Sequence, residues 1–402
     1  MNQETIFIQF LHDKARNSII LNNGFSNVYN ECKNAGDFFW SKHYSEISAM
    51  EKNCLPIKNG KAYISAFYYD HLMQSYIWAR QYPDIRFIAG GPAVRYANFT
   101  SQNLPYNLTL SKGLAEKVIF LKDKPNKTWD IDIPVNLIKG KNIIRFAYNI
   151  DRRCYWGKCI FCDGYNKDWE SPLNNNIDNL KIPKLNGNIN KIVRLNIPSI
   201  TPKFLKNEVP KLPRRNDVIF DFFIRAGKEI LPVITQVLED CANGIGPAPE
   251  QFRFVIGVEF PSDRMLQYMG KGTSRALLLK LLSLAERYKI SVGIPFIFGW
   301  NNLTLKDVQE AVDFIKKVEQ MEALETFSTG FTLEIHPNSP VFKQFKTSEL
   351  IPIRRKIFNN GECRIKLNKE QQELNEAVRS FYLHSKINSY LYDSEIGNIN
   401  YE

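Results

Sequence analysis

Across 402 residues there is no run of about twenty uncharged apolar residues, so no segment is suited to cross a bilayer as a helix. Met1 to Phe10 includes the acidic Glu4 and has no positive stretch ahead of a long apolar run, so no secretory leader is expected and the cytoplasm is the expected compartment. Dense basic runs and nucleic-acid motifs are also missing. The excess of 53 Lys and Arg over 42 Asp and Glu is scattered, as at Lys181, Lys184, Lys191, Lys203 and Lys206, which reads as a lysine-rich surface rather than a nucleic-acid groove. The seven cysteines are an odd number in a long chain with no expected leader, which argues against a disulfide framework. What remains is the composition of a soluble enzyme of one large or two medium domains, with 44% hydrophobic residues to build a core.

Against this background three of the cysteines stand together. Cys154, Cys159 and Cys162 lie within the segment Arg152-Arg153-Cys154-Tyr155-Trp156-Gly157-Lys158-Cys159-Ile160-Phe161-Cys162-Asp163-Gly164, close enough to hold one inorganic cluster on one loop. A structural zinc site takes four ligands, and no further Cys or His follows at short spacing, the next His being His336. A two-iron ferredoxin shares the C-x4-C-x2-C spacing but would need Cys241 or Cys363 as its distant fourth thiolate, in a chain of net charge +11 where ferredoxins are small and acidic. The third reading is a four-iron cluster held by three thiolates, leaving one iron open for a cofactor or substrate. Tyr155, Trp156 and Phe161 would keep water from the sulfurs.

From residue 141 onward, short β-rich apolar runs alternate with helical patterns, as in a parallel sheet with crossover helices. The spacing predicts strands at 142–149, 191–197, 218–225, 252–259, 291–298 and 327–335. Helices are expected at 202–212, 228–242, 274–288 and 305–320, the last with Thr304 as N-cap and Asp307 three residues on. The cysteine loop follows the first strand, which would set it at the C-terminal mouth of the sheet, where catalytic groups collect in barrels. A last helix at 368–386 carries Leu374, Val378, Phe381 and Tyr382 at helical spacing and is expected to pack on the barrel. In the first 140 residues a strand at 61–69, a helix at 70–81 and a strand at 85–89 ending in Gly90-Gly91-Pro92 read as a small doubly wound unit with a tight turn. This gives an α/β chain of three parts, 1–140, 141–345 and a C-terminal extension 346–402.

Beyond the cysteines, Phe252-Arg253-Phe254-Val255-Ile256-Gly257-Val258-Glu259, then Ser262 to Leu266 and Met269-Gly270-Lys271-Gly272, resembles the fourth-strand region of radical S-adenosylmethionine (SAM) enzymes. Val292-Gly293-Ile294-Pro295-Phe296-Ile297-Phe298-Gly299-Trp300 resembles their fifth strand and its turn. The cysteine motif has one more residue in its first gap than the family's usual C-x3-C-x2-C. The resemblance covers roughly residues 140 to 345 and implies a partial (β/α)6 barrel, preceded by a domain that resembles a cobalamin-binding domain. It further implies a [4Fe-4S] cluster on Cys154, Cys159 and Cys162, with SAM chelated at the open iron and cleaved to a 5'-deoxyadenosyl radical that abstracts hydrogen. Phe161 would lie against the adenine, Asn196, Ser199, Arg225 and Glu259 would offer polar groups to the methionyl part and ribose, and Gly299 would let backbone approach the adenine. An electron donor such as flavodoxin or ferredoxin is implied as a partner.

Two departures shape the expected reaction. The family's Gly-Gly-Glu segment is replaced by Arg194-Leu195-Asn196-Ile197-Pro198-Ser199, and the D-x-H-x-x-G signature of cobalamin's lower histidine is missing, since His12, His43 and His71 stand in other contexts. Loss of cobalamin is therefore the expectation, with binding without a histidine as the alternative. Cys363, expected in a polar turn at 359–364, could return hydrogen to a carbon radical. The arrangement is similar to the proteusin-type radical SAM peptide epimerases, which implies a precursor peptide substrate and conversion of L- to D-residues with Cys363 as hydrogen donor. A cobalamin-dependent methyltransferase, or another peptide or small-molecule modifier on the same scaffold, is the enzymatic alternative, and an iron-sulfur carrier the non-catalytic one. Each polar residue also has a plain structural role open to it: Glu259 as a helix cap, Arg225 as a carboxylate partner, Asn196 and Ser199 as backbone ligands.

Overall fold

The structure is a computed structural model that describes residues 5–11, 18–21, 38–43, 55, 57–66, 69–90, 94, 104–111, 143–150, 154–162, 177, 178, 180, 182, 190–327, 331–353 and 362–385. The chain divides into two compact units, 1–148 with 179–189 and 354–361, and 149–178 with 190–353 and 362–402.

In the first unit the strands are β1 (Thr5–Leu11), β2 (Ser18–Leu21), β3 (Phe38–His43), β4 (Gly60–Ser65), β5 (Ile85–Gly90), β6 (Leu108–Ser111) and β7 (Ile143–Asn149), with helix α1 (Tyr69–Gln81) between β4 and β5. Five of them form a parallel sheet in the order β3-β1-β4-β5-β6. Counted within the sheet this is the order 2-1-3-4-5, which reverses between β1 and β4; open α/β sheets take ligands at the carboxyl ends of strands flanking such a reversal. Parallel strands covered by crossovers are buried on both faces and read as apolar runs. Ile6, Ile8, Ala62, Ile64, Phe87 and Ala89, in register on one face, are buried, with Leu72, Trp78 and Ala79 of α1 in the same core. The strand expected to reach residue 69 stops at Ser65, because α1 already begins at Tyr69. β2 and β7 pair in parallel. The Gly91-Pro92 turn, His12, Cys32 and Cys54 lie outside the described residues.

In the second unit β8 (Asn190–Asn196), β9 (Val218–Ile224), β10 (Phe252–Ile256), β11 (Ser291–Ile294) and β13 (Leu324–Phe327) run side by side in chain order, all parallel. The helices between them are α2 (Pro202–Asn207), α3 (Ile230–Ala242), α4 (Asp263–Tyr268), α5 (Arg275–Arg287) and α6 (Leu305–Val318). Phe220, Phe222 and Ile224, Phe252, Phe254 and Ile256, and Val292 and Ile294 alternate onto one face and are buried. The opposite face takes Asp221 and Arg253, paired in register, and Gly293.

Three expected elements break where proline or a left-handed residue intervenes. The helix foreseen to residue 212 ends at Asn207 and passes into a 3-10 turn over Val209–Lys211 that holds Pro210, which offers no N–H to continue an α-helix. The strand foreseen to residue 259 ends at Ile256, three residues before Glu259 takes φ +61°. The strand foreseen at 291–298 is split by Pro295 into β11 and β12 (Ile297–Phe298). β12 pairs with β14 (Phe331–Thr332), while β13 starts before the predicted residue 327. The described strands thus bear out a parallel α/β sheet, with a strand in each of the six expected segments.

The C-terminal segment adds an antiparallel pair, β15 (Leu350–Pro352) with β16 (Cys363–Ile365), and helix α7 (Lys369–His384). Leu374, Val378 and Tyr382 of α7 are buried, and the Tyr382 ring packs on Phe296 and Phe298 at 5.2 and 5.9 Å. The expected helix packing on the sheet is therefore present.

Candidate functional site

The cysteine loop, residues 154–162, is fastened by its backbone to the turn that follows α4. The Ile160 amide donates to the Met269 carbonyl at 3.0 Å, and the Trp156 indole N–H donates to the Gly270 carbonyl at 2.7 Å. The Val341 amide donates to the Ile160 carbonyl at 2.8 Å, tying the loop to the chain beyond β14. Gly270 and Gly272 both have positive φ, and a Cβ at Gly272 would run into the Trp156 ring. Only glycine allows this close approach.

A tight turn, with Cys162 N donating to Cys159 O at 3.2 Å, sets two of the thiols on one bend. Cys154, Cys159 and Cys162 are reduced and half-buried. Burial pushes the Cys159 thiol up to about 11; the neighbouring Lys271 cation pulls against this, while Cys162 and Cys154 add to it. The three sulfurs therefore feel one another. Among the described residues no three His, Cys, Asp or Glu side chains gather tightly enough for a single metal ion. A four-iron cluster binds each thiolate through a different iron, so its ligands stand farther apart than those of one ion. Three thiols on one pinned loop fit that larger group.

Charged and aromatic side chains frame the loop. The Arg225 guanidinium lies 3.9 Å from the Trp156 ring centroid, donates to Gly272 O at 2.6 Å and pairs with Glu229. Tyr155 joins the group, donating to Glu229 at 3.0 Å. Lys271, buried to 7% exposure, donates to the Glu259 carboxylate at 3.1 Å and lies 5.8 Å from the Phe161 ring. Burial disfavours its charge, but Glu259 and then Cys159 outweigh burial and hold its pKa above the ordinary lysine value. Phe161 meets Trp300 edge-on at 6.0 Å, and Trp300 meets Tyr268 at 6.1 Å.

Of the residues expected from sequence, Phe161 lies within the cysteine loop, and Arg225 and Glu259 stand beside it. Arg225 and Glu259 already carry protein partners there, the carboxylate-pairing role weighed for Arg225 among them. Glu259 does not cap a helix: its backbone bridges Pro295 and Ile297, accepting from Ile297 N at 2.7 Å. The Ser199 hydroxyl, in a residue 6% exposed beyond the end of β8, has no hydrogen-bond partner among the described residues. A buried hydroxyl left so is costly unless a ligand satisfies it. Asn196 ends β8. Gly299 has φ +96° in the turn after β12.

No protein-family model matches the chain, and no curated protein matches it in sequence. Solved structures do. The cobalamin-dependent S-adenosylmethionine radical enzyme OxsB with aqua-cobalamin bound is matched at TM-score 0.61 and 15% identity, over 93% of this chain and 66% of OxsB, a little under two thirds of its length. The radical S-adenosylmethionine methyltransferase TsrM from Kitasatospora setae, with cobalamin and a [4Fe-4S] cluster bound, is matched at TM-score 0.53 and 9% identity, over 94% of this chain and 85% of TsrM. The fold is shared with these enzymes.

Cys363 departs from the sequence expectation. It opens strand β16 instead of lying in a turn, exchanging backbone hydrogen bonds with Ile335 at 2.7 and 3.0 Å. Ile335 alternates with buried Leu333 as an apolar partner that only the tertiary fold supplies. Residues 359–361 of the predicted turn lie outside the described residues. Lys271 and Asn375 were not singled out from sequence as site residues, whereas Trp156 was expected to shield the sulfurs. The glycines flanking Lys271 were the available signal, since paired positive-φ positions mark a place where another backbone comes close.

Proposed function

We propose that this chain is a radical SAM enzyme whose N-terminal unit is a cobalamin-type domain. The observation that carries the reading is the set of three thiols on one short loop, pinned by a backbone bond and an indole bond to the Met269–Gly270 turn. Cys154, Cys159 and Cys162 would hold a [4Fe-4S] cluster, which with SAM supplies reductive cleavage to a 5'-deoxyadenosyl radical. Ser199 would bring its unsatisfied buried hydroxyl to the methionyl part of SAM. Gly299 presents bare backbone to the adenine and Phe161 its ring. Glu259 is oriented by its hydrogen bond from Lys271, and Arg225 stacks on the Trp156 ring of the loop. The aromatic set Trp156, Phe161 and Trp300 excludes water from the sulfurs, which protects reactive intermediates.

For the reaction, cobalamin-dependent methyl transfer is the reading we favour. Support comes from the 2-1-3-4-5 sheet order of the first unit and from likeness over more than nine-tenths of the chain to two cobalamin-bound enzymes. Gly90 and Ser111 stand in register at the carboxyl ends of β5 and β6, and Gly90, with no side chain, leaves that edge low for a broad ligand. The missing D-x-H-x-x-G motif concerns an axial ligand and not this crevice, so cobalamin would bind without a histidine. His71 is buried in α1 and His43 ends β3.

Peptide epimerisation is the second reading. It is favoured by Cys363, whose partner Ile335 precedes the segment that docks on the cysteine loop through Val341. The electron donor, flavodoxin or ferredoxin, and a peptide substrate belong to this proposal. Protein produced with hydroxocobalamin should carry corrinoid absorbance near one equivalent. Corrinoid-free protein that puts solvent deuterium into a peptide, and loses this in Cys363→Ala, would replace methyl transfer with epimerisation.

A further inference from the structure

Asn375 lies in the middle of α7, far along the chain from every cysteine of the loop, and is 6% exposed. A buried amide at the centre of an amphipathic helix costs stability unless all its groups are satisfied. Here each is satisfied by a specific partner. Its Oδ1 accepts from the Gly299 amide at 2.6 Å and the Trp300 amide at 3.1 Å. Its Nδ2 donates to the Trp300 carbonyl at 2.7 Å and the Gln371 carbonyl at 2.7 Å. Three of the four bonds go to one dipeptide, so this side chain reads the conformation of the Gly299–Trp300 turn and little else.

That turn needs holding. Gly299 is at φ +96°, a conformation that its lack of a Cβ permits but does not enforce. Trp300 is fully buried, with its indole N–H on Ile297 O at 2.9 Å, and its ring meets Phe161, which sits between Cys159 and Cys162. The amide of Asn375 is thus joined to the cysteine loop through one turn and one pair of rings. Gln371, one helical turn earlier, makes the comparable pair of bonds to Leu303, at 2.9 and 3.0 Å, and touches neither Gly299 nor Trp300.

We propose that Asn375 is a positioning residue for SAM: it fixes the Gly299–Trp300 turn so that the Gly299 backbone is pre-shaped for the adenine and Trp300 braces Phe161. The inference rests on the radical SAM reading above. It makes the C-terminal helix part of the cofactor site, although α7 contributes no cluster ligand. Pre-organisation of this kind acts on ligand affinity, because the ordering cost is met before binding.

The test uses the full chain with reconstituted cluster and compares wild type, Asn375→Ala, Asn375→Asp and Gln371→Ala. The readouts are iron content, melting temperature, and the SAM concentration that half-converts the electron paramagnetic resonance spectrum of the reduced cluster. Asn375→Asp keeps the size and both acceptor bonds but turns the donor edge against two carbonyls, so it covers the case in which the alanine variant fails to fold. The expected result is full iron content in all four, similar melting losses for Asn375→Ala and Gln371→Ala, and at least tenfold weaker SAM binding in both Asn375 variants but not in Gln371→Ala. Wild-type SAM affinity in a folded Asn375 variant, or equal weakening in Gln371→Ala, would overturn the inference while leaving the enzyme class intact. A wild-type spectrum that does not respond to SAM would remove the radical SAM reading, and this inference with it.

Discussion

Lys271 and Glu259 face each other at 3.1 Å with little solvent around either, and a buried pair is costly to break by halves. Lys271→Met leaves the Glu259 carboxylate unpaired and should cost about 3–5 kcal/mol in denaturant unfolding of the cluster-free protein. Adding Glu259→Gln on that background should recover much of the loss; no recovery would mean that the methionine itself is misfitted. Gly272→Ala meets two obstacles, φ +61° and the Trp156 ring, and should destabilise by at least about 1–3 kcal/mol while lowering iron uptake. The cysteine triplet and Phe161 were legible in the sequence because their message lies within nine residues. Lys271 and Asn375 were not, nor was the bond that anchors Trp156. Trp156 and Gly270 are 114 positions apart, and no local pattern encodes such a contact. The same reason placed Cys363 in a turn when its strand partner was Ile335.

Elements were legible where their signals are local. Thr304 caps α6 as expected, accepting from Asp307 N at 3.3 Å while the Asp307 carboxylate returns to Thr304 N at 2.8 Å. Thr304→Ala should cost about 1 kcal/mol. Burial would raise the Asp307 pKa, yet hydrogen bonds from Arg264, Ser262 and Thr304 prevail and hold it below the ordinary carboxylate value. A lowered folded-state pKa means that the unfolded chain binds the proton more readily. The stabilisation is therefore complete above the unfolded value of about 4 and is lost as pH falls through the folded one. Asp307→Asn should be less stable at neutral pH and lose less stability on acidification than wild type, as measured by melting at pH 7 and pH 3. An unchanged acid slope would remove Asp307 from this role. The breaks at Pro210 and Pro295 could have been read from proline alone, whereas the left-handed Glu259 could not, because its conformation is held by Pro295 and Ile297 from another strand.

At the scale of the molecule, the alternation of apolar runs and helical patterns after residue 190 was enough to give a parallel sheet in chain order, since each crossover joins neighbours. The first unit was harder. Its sheet order depends on β1 and β3, whose runs carry no turn or helix signature that would have paired them, and only the stretch from β4 to β5 was foreseen. That order is what the proposed cobalamin crevice rests on, and no local pattern in the sequence carries it. Replacing Gly90 by Trp at the low carboxyl edge should reduce corrinoid content severalfold while leaving iron content unchanged; equal corrinoid in both proteins would move the ligand elsewhere. Every reading of the reaction rests first on SAM cleavage. The most direct measurement is 5'-deoxyadenosine formed from SAM by the anaerobically reconstituted, reduced protein, beside a variant with Cys154, Cys159 and Cys162 all changed to Ala. Deoxyadenosine from the intact protein alone is the predicted result. None from a protein that carries its full complement of iron would contradict radical SAM chemistry and leave an iron-sulfur carrier.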